Sequence, residues 1–89
     1  DRPLQVLDLC CGTGDSLRAL AWWLPTGSQL IGMEADQRFA ANAAAGRYRN
    51  RADDSIAVAV HQASVLEGFR DFHGRRVADR SLDVVHAIG

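Results

Sequence analysis

Lysine is absent from this 89-residue chain, and all ten of its basic side chains are arginines. Eleven acids balance them to a net charge of −1. So even a balance lacks the electrostatic footprint of a nucleic-acid or membrane-surface binder. The arginine-only usage reads as genome composition rather than as phosphate recognition. Cysteine is scarce. Cys10 and Cys11 are adjacent, so no structural disulfide is expected between them, and no CxxC spacing occurs. His61, His73 and His86 are scattered, so no metal site is expected. No apolar run approaches the roughly 20 residues that cross a bilayer, and no targeting leader is visible. Free thiols without a leader predict an intracellular protein, in the cytoplasm or an organelle interior. Repeats and low-complexity tracts are missing too. With 47% hydrophobic residues there is material for one modest core, and residues 1–89 read as one unit.

What is present is organised around residues 4–15, LQVLDLCCGTGD. Residues 4–10 form an apolar run of strand length, broken only by Gln5 and Asp8. Gly12-Thr13-Gly14 follows at once, giving a sharp turn and room for another molecule to approach the backbone. Asp15 or Ser16 is expected to cap a helix beginning near Leu17. Strand, glycine turn and helix in succession place backbone N–H groups at the carboxyl end of a strand, where open α/β sheets bind nucleotide-like ligands. Asp8 needs a partner if buried, and a bound ammonium group would be one. A dinucleotide-binding GxGxxG is excluded, because its third glycine falls on Leu17.

Leu17, Leu20, Ala21 and Leu24 then make one helix face, ended by Pro25 and Gly27. Trp22 and Trp23 cannot share that face, so one is expected to pack and the other to lie at a rim. Residues 28–35 (SQLIGMEA) read as a second strand, with Gly32 allowing close backbone approach. Glu34 ends it, where Rossmann-like folds keep an acid for ribose hydroxyls. Asp36 is expected to cap a second helix over residues 37–48, with Phe39, Ala40, Ala43, Ala44 and Tyr48 as its stripe. Arg47, Arg49 and Arg51 are expected to complement that helix dipole. After a polar turn at residues 50–55, residues 56–60 (IAVAV) suit a strand covered on both faces. Residues 65–81 predict a crossover loop with at most a short helix, pinned by Phe69 and Phe72. Residues 82–88 (LDVVHAI) read as a fourth strand, with Leu82, Val84, Val85, Ala87 and Ile88 apolar on both alternating faces. Strands alternating with helical segments predict an α/β, Rossmann-like parallel sheet with flanking helices.

An apolar strand, Asp8 and Gly12-Thr13-Gly14 together resemble motif I of the class I S-adenosylmethionine-dependent methyltransferases. The wording LDLCCGTGD is most similar to the ubiquinone and menaquinone biosynthesis C-methyltransferases. Glu34 matches the family's motif II acid, and LDVV resembles its "FDVV" segment. The resemblance implies strand order 3-2-1-4 in an incomplete sheet, since the family's sheet continues beyond four strands. It implies S-adenosyl-L-methionine as cofactor, contacted by Asp8, Cys10, Gly12, Thr13, Gly14, Glu34, Ala35, Ser64, Val65 and His86. Asp8 would hold the methionine end and Glu34 the ribose. Ser64 stands where many family members carry an acid for the adenine amino group. No catalytic residue is assigned, and the methyl acceptor is not identified. The expected function is methyl transfer, with this chain as the cofactor-binding portion and inactive alone. The alternative is a non-catalytic methyltransferase-like module within a larger assembly. Either reading expects a missing C-terminal half, or a partner chain, packed on residues 82–88.

Overall fold

Alternation of inward and outward side chains builds four parallel strands in the computed structural model, which describes residues 2–77 and 82–87. β1 (Gln5–Leu9) leads into α1 (Asp15–Trp23), β2 (Gln29–Glu34), α2 (Gln37–Ala45) and β3 (Ala57–Gln62). A 3₁₀ turn (Val65–Glu67) follows, and β4 (Val84–Ala87) completes the sheet. The order is β3-β2-β1-β4, an α/β fold consistent with an incomplete Rossmann-like domain. Because side chains alternate, Val6 and Leu30 meet the helices through Leu17, Ala21, Leu24 and Ala43. Leu7, Ile31 and Met33 face the other way and are covered by Leu9, Ala63, Phe72 and Leu82. Leu17 alone, with no exposed surface, anchors α1 by about 1.5–3 kcal/mol of burial. At Gly32 a Cβ would sit 3.0 Å from Cys11 Sγ and 3.1 Å from Leu17 Cδ1. The bare backbone of β2 is what lets the turn and α1 lie against it.

Several local expectations change. α1 begins at Asp15 and is capped by Gly14, with no side-chain cap, because the Ser16 hydroxyl is drawn to Asp8 instead. Neither tryptophan enters the core: Trp22 is half exposed and Trp23 lies under the Arg51 guanidinium, 4.6 Å from its ring centre. α2 is capped by Asp36, which accepts from the Arg38 and Phe39 N–H groups, but it ends at Ala45. Gly46 turns the chain back and Tyr48 slides under the helix, its hydroxyl donating to the Ala43 carbonyl at 2.6 Å. Within α2 Ala40 and Ala43 are buried while Phe39 and Ala44 are exposed, and Tyr48, the last of the expected stripe, is buried outside the helix. The arginine cluster therefore lies beyond the helix, with no basic residue in its last turn. Arg49 pairs with Asp53 instead, and Arg51 stacks on Trp23.

The polar turn after it is organised by Asn50. Its amide donates to the Leu24 carbonyl and to Thr26, and its oxygen accepts from the Ala52 and Asp54 N–H groups. β3 is an edge strand with partly exposed sides rather than one covered on both faces. Phe72 does pin the crossover to the sheet, whereas Phe69 stays 39% exposed. Residues 78–81, Ile88 and Gly89 lie outside the described residues.

β4 forms the other edge. Its start is tied to β1 by Asp83, which accepts from the Gln5 N–H at 2.7 Å and from Arg2 at 2.8 Å. Those donors, the Gln5 N–H foremost, hold the Asp83 carboxyl below its ordinary range. Val84 and Val85 are 45% and 44% exposed on opposite faces. Natural edges are usually charged, bulged or covered, since an open apolar strand recruits others. The 89-residue chain is therefore expected to self-associate in sedimentation velocity, and Val85→Lys to shift it toward monomer. A monomeric parent chain with one cooperative melting transition would overturn this.

Candidate functional site at the carboxyl end of the sheet

β1 ends in a tightly wound turn because three residues in quick succession adopt positive φ: Cys10 at 56°, Gly12 at 59° and Gly14 at 105°. The glycines bear this freely, while Cys10 does so at a cost of about 1–2 kcal/mol. The turn is then held from two sides. The Cys11 N–H donates to the Met33 carbonyl at 3.1 Å, tying it to β2. The Gly12 N–H donates to Glu34 Oε1 at 2.8 Å, and the Asp36 N–H donates to Oε2 at 2.9 Å. One carboxylate thus fastens the glycine turn to the end of β2 and to the start of α2. Each of its oxygens keeps a further lone pair for a ligand donor.

Asp8 lies deeper. It pairs in register with Gly32 on one side and His86 on the other, and is 1% exposed. No ammonium group is needed to satisfy it. The Ser16 hydroxyl, from the first turn of α1, donates to Oδ2 at 2.5 Å, and His86 Nδ1 lies 2.9 Å from Oδ1. Short polar contacts thus form two pairs, Gly12 with Glu34 and Asp8 with His86. Cys10, Thr13 and Ala35 are exposed around them. Ser64 and Val65 sit beyond β3, two strands from β1. The Ser64 hydroxyl accepts from the Leu66 N–H, and Glu67 returns a bond to the Ser64 N–H, so Ser64 serves as a cap. The first-turn N–H groups of α1 carry no side-chain cap. They point the positive end of the helix dipole at the turn.

Two contributors escaped sequence reasoning. Ser16, one of the two capping candidates, instead donates its hydroxyl to Asp8, and the signal for this is the buried acid eight residues before it. Cys11 is 2% exposed, packed among Val6, Leu17 and Leu30. Burial, then the charges of Asp8 and Glu34, push its thiol up from 9.0 to about 12. No group of three His, Cys, Asp or Glu residues suited to a metal is present among the described residues. Two clefts of about 400 and 390 Å³ open at the opposite end of the sheet, around Trp22 and Arg51 and around Tyr48 and Ile56. Concavity there is not accompanied by convergent reactive groups.

Two outcomes follow for the turn. A Cβ at Gly14 would fall 2.5 Å from the Tyr48 hydroxyl, whereas one at Gly12 meets nothing within 4 Å. Gly14→Ala is expected to cost about 3 kcal/mol in denaturant unfolding and Gly12→Ala about 1 kcal/mol, the strain of positive φ alone. Equal costs would contradict the packing. Cys11 has a folded pKa above its unfolded value, so its contribution is whole below pH 9 and is lost as pH rises toward 12. Stability should fall across that window, and Cys11→Ala should flatten the fall. A parallel alkaline limb in the variant would exclude Cys11 as its source.

Compared with models of known protein families, with curated proteins and with solved structures, the chain matches none.

Proposed function

We propose that this chain is the S-adenosylmethionine-binding portion of a methyltransferase. The observation that carries the reading is the Glu34 carboxylate bound to the Gly12 N–H. It sets an acid with spare lone pairs against a glycine turn and an uncapped helix N-terminus. A ribose diol suits those lone pairs. A ligand lying over Gly12 meets open space, and the carboxylate of an amino-acid moiety suits the uncapped N–H groups of α1. Asp8 is enclosed by Ser16 and His86, so we assign it to holding those two groups rather than to direct contact with the ligand. Methyl transfer from a sulfonium needs in-line approach of the acceptor, and the protein contributes mainly positioning and a dry, shaped site.

A second reading is a non-catalytic methyltransferase-like module that uses the fold as an interaction surface. The engagement of Ser64 as a helix cap and the exposure of Val84 and Val85 favour it. A further strand or a partner chain on β4 belongs to both readings, and the methyl acceptor is unidentified in either. No helix among the described residues is long and apolar enough to cross a membrane.

Calorimetry separates the two. S-adenosylmethionine and its demethylated product are expected to bind the intact chain. Glu34→Ala should weaken binding by about 1.5–3 kcal/mol, the scale of hydrogen bonds to a charged group. Melting temperatures taken on the same samples correct for the lost anchor of the turn. Equal affinity of variant and parent would remove Glu34 from the site, and an absence of binding heat for the parent would favour the interaction module.

A further inference from the structure

Ser16, Asp8 and His86 form a polar chain for which cofactor binding gives no reason. A His packed for structure alone is usually buried, with both ring nitrogens satisfied. His86 differs on both counts. Its side chain is 30% exposed, and only Nδ1 has a hydrogen-bond partner among the described residues. That partner is a carboxylate 1% exposed, fixed on its far oxygen by the Ser16 hydroxyl. Asp8 therefore cannot swing away from the ring. An acid behind an imidazole, with the outer nitrogen open, is the arrangement that orients a general base. Register sets it where it is useful: His86 stands opposite Asp8, one residue before the carboxyl end of β4.

We propose that Asp8 and His86 form a proton-accepting dyad serving a methyl acceptor that carries a dissociable X–H group: a hydroxyl, thiol or amine. This rests on the methyltransferase reading. Asp8 accepts from Ser16 and from Nδ1–H, which leaves the lone pair on Nε2. As X bonds to the methyl carbon, the carbon–sulfur bond breaks and its electron pair stays on sulfur as a neutral thioether. The X–H proton passes to Nε2, and the imidazolium formed beside Asp8 later releases it to water. His86 is the catalytic residue in this step, and Asp8, acting through it, is a positioning residue.

The test needs no knowledge of the acceptor. Long-range proton–nitrogen NMR on the ¹⁵N-labelled 89-residue chain, at about pH 8 where an ordinary imidazole is neutral, should find the His86 proton on Nδ1. Diethyl pyrocarbonate should acylate His86 several-fold faster than the more exposed His73, with sites and rates read by mass spectrometry. Asp8→Asn should move the proton toward Nε2 and abolish that advantage. Ser16→Ala, which leaves the Asp8–His86 contact in place, should reduce it in part should Asp8→Asn fail to fold. A His86 proton on Nε2 in the parent chain, or acylation no faster than at His73, would overturn the dyad. Calorimetry with S-adenosylmethionine on the same samples keeps the two ideas apart. Binding with an unreactive His86 removes the dyad and leaves methyl transfer standing. A reactive His86 without binding removes methyl transfer as the reaction and keeps the proton acceptor.

Discussion

Burying a carboxylate in the middle of a small parallel sheet is the constraint to which much else in this molecule answers. Asp8 is enclosed on β1, and an unpartnered charge there would cost several kcal/mol. Its partners come from α1 through Ser16 and from β4 through His86. Each is delivered by a different segment. The polar centre of β1 therefore ties together elements that hydrophobic burial alone would leave free to slide.

A second carboxylate performs the complementary task at the surface. Glu34 takes the N–H groups of Gly12 and Asp36, so the glycine turn and the start of α2 share one anchor. Asp8 and Glu34 together lay negative potential on the turn, which adds to burial in raising the Cys11 thiol. The neighbouring Cys10 is exposed and takes a left-handed backbone conformation. Unspent hydrogen-bonding capacity thus gathers at the carboxyl end of the strands. Both sheet edges carry partly exposed apolar side chains, Val58 and Val60 on β3 and Val84 and Val85 on β4.

The strand–turn–helix unit and the acid at the end of β2 were legible in the sequence because each rests on local pattern, whereas the strand order was only what the family resemblance implied. Apolar runs of strand length, glycines at fixed offsets and an Asp before a helix act over a few residues, and the backbone obeys them. Legibility failed where two segments compete for one group. Spacing offers Asp15 or Ser16 as the cap, yet the Ser16 hydroxyl goes to the buried carboxylate of another element rather than to the exposed N–H groups of its own helix. Spacing predicts Tyr48 as helical, yet it lies outside α2, and its ring fills the space beneath that helix beside the bare backbone of Gly14.

By itself, then, the sequence determined the α/β alternation, the parallel sheet and the position of the glycine turn, since side-chain periodicity and backbone freedom are properties of consecutive residues. Tertiary structure alone decided that Asp8 meets His86, 78 residues away. It also decided that Cys11 is sealed in the core while Cys10 faces solvent. Those outcomes depend on strand register and on which neighbour reaches a polar atom first. Distances across the sheet, rather than along the chain, set both.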